Sequence, residues 1–107
     1  MAIAEIHPGN CGFTTTIEAR RQGNMCNLTI TSECAAIQKM AQGLTEVNPY
    51  QEISFRRNTP LILQMGAKYC THAACPVPVG IIRAVEVEMG LALPIDMTIK
   101  LTKTPQA

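Results

Sequence analysis

The chain has 107 residues, enough for one hydrophobic core and too few for two domains of ordinary size. Nine Lys and Arg stand against eight Asp and Glu, a formal net charge of +1, and only 16% of residues are charged, so no basic stripe for nucleic acid arises. No run approaches the roughly 18 apolar residues of a membrane span, and residues 1–6, with Glu5 among them, lack the basic start and long apolar core of a secretory leader; the expectation is a cytoplasmic protein with no nucleic-acid or membrane partner.

In chain order, residues 2–6 offer an additional N-terminal strand. Residues 13–19 alternate Phe13, Thr15, Ile17 and Ala19 with Thr14, Thr16 and Glu18, the period of a half-buried strand. Arg20, Arg21 and Gln22 lead to Gly23-Asn24, which supplies turn chemistry, and residues 25–31 alternate again with Cys26, Leu28 and Ile30 on one side; the two segments read as a hairpin. Thr31 or Ser32 offers an N-cap for a first helix over residues 33–43, carried by Ile37, Met40 and Ala41 and ended at Gly43. A loose stretch then leads to a short extended piece over residues 52–55.

Asn58-Thr59-Pro60 sets capping residues before a proline suited to a first helical turn, so a second helix is expected over residues 60–69. Residues 70–74 connect to a third helix that carries Ile81, Ile82, Val85 and Met89 and closes at Gly90. Pro78 and Gly80 are tolerated early in it, where the N–H groups have no internal partner. Residues 96–104 alternate Met97, Ile99 and Leu101 with Thr98, Lys100 and Thr102 and read as a last strand, followed by a mobile tail at 105–107. The sum is one α+β domain over residues 1–104: a mostly antiparallel sheet, hairpin plus C-terminal strand, with about three helices on one face.

Five cysteines in a chain read as cytoplasmic point to metal, redox chemistry or burial before a disulfide framework. Cys11 lies in Gly9-Asn10-Cys11-Gly12, where glycines let the backbone turn tightly around a bound atom. Cys34 falls in the first turn of the first helix and Cys75 at the start of the third; helix N-termini favour the thiolate, the form that binds metal or attacks. His72 precedes Cys75 with two residues between them, a spacing that lets both side chains reach one ion from a turn, and Cys70 is near enough to substitute. Cys11, Cys34, His72 and Cys75 therefore form a candidate four-ligand site for zinc or an iron–sulfur cluster, with His7 a further donor beside the Cys11 loop. Cys26, on the inward face of a strand, reads as packing, and so does Cys70 at a helix end.

Competing readings stay open. Cys75 alone is a candidate catalytic nucleophile, with His72 able to influence its protonation. Cys75-Pro76-Val77-Pro78 resembles the Cys-Pro-x-Pro signature of small sulfur-carrier proteins, which implies a persulfide-bearing Cys75. A third reading is an interaction module whose cysteines are packing and which pairs with a protein partner, a second copy included, through an exposed strand edge. Arg56 and Arg57 fall in a connection and read as a solvated loop before an anion site. Glu86 and Glu88, two apart on a helix, point to different faces and do not cooperate. Across nearly the whole chain, Gly9-Asn10-Cys11-Gly12-Phe13, Ser32-Glu33-Cys34, His72-Ala73-Ala74-Cys75-Pro76-Val77-Pro78 and Gly90-Leu91-Ala92-Leu93-Pro94 resemble an uncharacterised family of short proteins from anaerobic microbes. That resemblance implies a shared domain and a setting suited to iron–sulfur or sulfur-transfer roles.

Overall fold

A computed structural model of the chain describes residues 1–105. Its elements are β1 (Ala2–Ile6), β2 (Thr15–Gln22), β3 (Met25–Ser32), α1 (Ala35–Gln42), β4 (Glu46–Val47), α2 (Pro49–Glu52), α3 (Leu61–Tyr69) and α4 (Val77–Glu88). The strands form one antiparallel sheet in the order β1-β2-β3-β4, so the expected α+β class holds and the N-terminal strand is real.

The hairpin forms where its alternation and turn chemistry place it. Gln22 pairs with Met25 across a two-residue loop, and Gly23 takes φ +61° at the first central position, which a side-chain-bearing residue adopts only with strain. β2 starts two residues later than expected and runs through Arg20 and Arg21, which leaves Phe13 exposed ahead of it. Ile17, Ala19, Cys26 and Leu28 are buried, whereas Thr29 and Thr31 of the opposite face are exposed. The covered face carries α4 across β1 and β2 and α1 against β3, and Ile37, Met40, Ile62, Ile81 and Val85 close the core there.

α4 ends as its glycine directs. Gly90 has φ +75°, its N–H donates to the carbonyl of Val87 at 3.1 Å, and the N–H of Leu91 donates to the carbonyl of Glu86 at 2.8 Å, the two bonds of a Schellman motif. The same helix end is tied to the sheet. Glu88 accepts from the N–H of Arg21 at 2.7 Å and pairs with the amino group of Met1 at 3.3 Å. The Arg21 N–H holds the Glu88 carboxyl below the usual carboxylate range. Glu86 instead pairs with Arg83 at 3.2 Å, so the two glutamates act apart.

Two expectations are corrected. Residues 52–55 are not an extended piece: Asn48 caps a one-turn helix, accepting from the N–H of Tyr50 at 3.1 Å, and bends follow it. Glu52, at the end of that helix, is only 2% exposed and accepts from the N–H groups of Ile62 at 2.7 Å and Leu61 at 3.2 Å. It thereby satisfies the first turn of α3, whose N-cap, Pro60, has no side-chain hydrogen bond to offer. The second correction concerns residues 96–104, which have strand alternation and no strand partner in this chain; among the described residues they stay outside the sheet, with Ile99 and Leu101 exposed. Of the mobile tail expected at residues 105–107, Gln106 and Ala107 lie outside the described residues.

Candidate functional site

Register decides which cysteines meet. Ile6 is opposite Thr15, and Thr15 is opposite Ser32, so the 7–14 loop and the junction from β3 into α1 share one end of the sheet. At α4, a Cβ on Gly80 would run into the Ile6 side chain, while Glu88 reaches Arg21 at the opposite end of the hairpin. The start of α4 therefore lies at the same sheet end as Cys34. α3 comes equally close: a methyl on Gly66 would stand 2.7 Å from Cγ of Pro78. That close approach sets Cys70, at the end of α3, beside Cys75, just before α4.

Each position is fixed by its backbone. Cys34 is the N-cap residue of α1; its N–H donates to Oγ of Ser32 at 3.1 Å, and that hydroxyl accepts from the buried Thr15 at 2.8 Å. Its carbonyl accepts from the N–H of Gln38 at 2.9 Å. Cys70 leaves α3 in an extended conformation with its N–H on the carbonyl of Gly66 at 2.8 Å. Cys75 closes a tight turn, its N–H donating to the carbonyl of His72 at 3.2 Å. Cys34, Cys70 and Cys75 are half-buried and pack against the core.

The Cys70 thiol is perturbed. Burial first, then the nearby Cys75 and Cys34, pushes it up to about 11. In the unliganded protein Cys70 therefore stays a neutral thiol at pH 7. Its labelling by iodoacetamide, followed by peptide mass spectrometry, is expected to be slow at neutral pH and to accelerate until the pH passes about 11. Rapid labelling of Cys70 at pH 7 would contradict that environment.

The fold treats the sequence-nominated donors unequally. Cys34 and Cys75 are both half-buried and packed against the core at one end of the sheet. Cys11 is exposed on the 7–14 loop, in a turn closed by the N–H of Gly12 on the carbonyl of Gly9 at 3.1 Å. His72 is exposed, with Nδ1 3.3 Å from Oγ1 of Thr71, and His7 is exposed, with Nδ1 3.4 Å from Oγ1 of Thr14. Among the described residues, no three His, Cys, Asp or Glu side chains are already arranged as a cage for a metal ion. Cys26 is fully buried in β3, and burial, followed by the charge of Glu88, raises its thiol, in keeping with a packing role. Arg56 and Arg57 are exposed and border an open groove with Tyr50 and Asn58.

Cys70, which the sequence offers as packing or as an alternative donor, packs against the core at the end of α3. Its signal was the run from Gly66 through Cys70 to Cys75 and Pro78, in which a glycine and a proline at helix ends permit a close crossing. Among the described residues, no helix is long and apolar enough to cross a membrane. No curated protein and no solved structure matches the chain. A family model described as a family of unknown function, DUF6951, matches residues 2–101, in line with the resemblance to an uncharacterised family of short proteins.

Proposed function

The chain belongs to that family of unknown function, and we propose that it works as a small soft-metal or iron–sulfur accessory domain whose primary donors are Cys34, Cys70 and Cys75. What supports this reading is the placement of three half-buried, core-packed thiols at the start of α1, the end of α3 and the approach to α4, with α3 and α4 held close where Gly66 meets Pro78. Thiolate donors select zinc or iron–sulfur clusters over hard cations, and zinc is held by about four donors in structural sites. Cys11 and His72, exposed on flanking loops, are the candidates to complete the set. Side-chain rotation on binding assembles the cage, and each ligating thiol gives up its proton to solvent.

Anaerobically purified protein, titrated with zinc or reconstituted with ferrous iron and sulfide, is expected to take up one ion or one cluster per chain. Cys34→Ala and Cys75→Ala are each expected to weaken retention by about tenfold or more, since each removes a donor. Absence of uptake by the native chain, or uptake unchanged when Cys34, Cys70 and Cys75 are all alanine, overturns the reading.

The close crossing of α3 and α4 at Gly66 and Pro78, which brings the α3 end at Cys70 toward Cys75, favours a second reading, the thiol-active use of Cys75. There the Cys75 thiolate attacks a disulfide of a partner molecule and expels one thiolate. Cys70 then loses its proton and attacks Sγ of Cys75, which expels the second. The partner disulfide is reduced to two thiols while this chain gains one disulfide, so electrons balance. A Cys70–Cys75 disulfide formed in a glutathione redox buffer, with no metal uptake, would select this reading over the first.

A further inference from the structure

We infer that residues 96–102 are a strand donated to a second copy of this chain, where they extend the sheet along the free edge of β1. The segment has the chemistry of a strand. Met97, Ile99 and Leu101 alternate with Thr98, Lys100 and Thr102, and the three apolar side chains are 51%, 83% and 90% exposed. Beyond the helix-capping N–H of Leu91, the backbone bond in this stretch is a local one, from the N–H of Ile95 to the carbonyl of Leu93 at 2.8 Å. The chain is elongated, measuring 57 by 28 by 26 Å. Such a row of unpaired N–H and C=O groups with apolar side chains is a template for pairing.

The acceptor edge and the segment lie on different sides of α4. β1 is the outer strand of the sheet and has five residues with one edge unpaired, whereas β4 at the other edge has only two. Met97 sits in a recess with Phe55, Leu63, Val79 and Ile82, on the side of α4 turned to α3. Gly80, on another side of α4, is the residue that meets β1. The segment therefore departs from the far side of α4, and a second copy is the partner that brings a matching edge to it.

The two faces match in kind. Beside β1, Ile99 and Leu101 continue the covered layer of Ala2, Ala4 and Ile6, while Thr98, Lys100 and Thr102 continue the open layer. Lys100 then joins a surface that already carries Glu5 and Glu18. Because donor strand and acceptor edge are both unpaired among the described residues, a two-fold exchange satisfies each copy and closes the assembly.

Sedimentation velocity of the full chain, with hydrogen exchange on the same samples, tests this. The native protein is expected to be a dimer at about 10 µM, with alternate amides of residues 96–102 and those of β1 protected together. The double variant Ile99→Asp, Leu101→Asp is expected to weaken association by about tenfold or more and to lose both sets of protection. A second variant, Thr98→Pro with Lys100→Pro, removes donors that make no backbone bond among the described residues and is expected to act alike while keeping native helical circular dichroism. A native chain that is monomeric at about 100 µM, a dimer indifferent to both variants, or a dimer in which residues 96–102 exchange freely overturns the proposal.

Discussion

Replacing Glu52 with alanine is expected to lower the unfolding free energy by about 3 kcal/mol, because two hydrogen bonds to a charged acceptor disappear and the buried N–H groups of α3 lose their partner. The carboxylate is 2% exposed, so water does not readily replace it. It also sits at the positive end of α3, where a negative charge is favoured. Glu52→Gln keeps an acceptor oxygen but no full charge and is expected to cost about 1 to 2 kcal/mol. Urea unfolding followed by far-ultraviolet circular dichroism separates the two variants. A loss below about 0.5 kcal/mol for alanine, the range of an ordinary surface substitution, would show that α3 does not depend on this cap.

The second large effect is expected at Gly66. Alanine there is favoured by helix propensity by about 1 kcal/mol, yet its methyl would stand 2.7 Å from Cγ and 3.3 Å from Cβ of Pro78, a rigid ring in the first turn of α4. Overpacking of this kind costs about 1 to 3 kcal/mol and forces the helices apart. Because Gly66 accepts the N–H of Cys70, and Pro78 lies three residues past Cys75, separation of the helices moves the two sulfurs apart. Gly66→Ala is thus expected to lose about 2 kcal/mol of stability and, where metal is bound, to lower its retention as well. Increased stability, equal to the propensity gain alone, would mean that the crossing relaxes freely and does not hold the site together.

These two residues also show how far the sequence carried. The hairpin was legible because alternation and a Gly-Asn pair are local signals, and α1, α3 and α4 were legible because their breaks and glycines stand at helix ends. Glu52 was not legible: a buried carboxylate is explained only by the unpaired amides of α3, which the fold brings to it across nine residues. Cys70, read at a helix end as packing and as an alternative donor, does pack against the core; the end of a helix describes its backbone and not its neighbours.

What the sequence could place was position. Cys34 and Cys75 were chosen for their helix starts, which share one sheet end because β3 and α4 both reach it. Ligand-like spacing nominated His72, but spacing does not determine exposure, and its imidazole stays near Thr71 at the surface. Residues 96–104 make the same point for strands. Alternation is a property of the segment, whereas a strand exists only with a partner, and this chain supplies none to it among the described residues.

Differential alkylation of the anaerobic protein, with and without bound zinc or cluster, asks most directly whether Cys34, Cys70 and Cys75 work as one set of donors. Peptide mass spectrometry is expected to find those three thiols shielded together when the metal is present and released together by a chelator. Labelling of any of the three at the same rate in loaded and metal-free protein would contradict the account, whatever happens at Cys11.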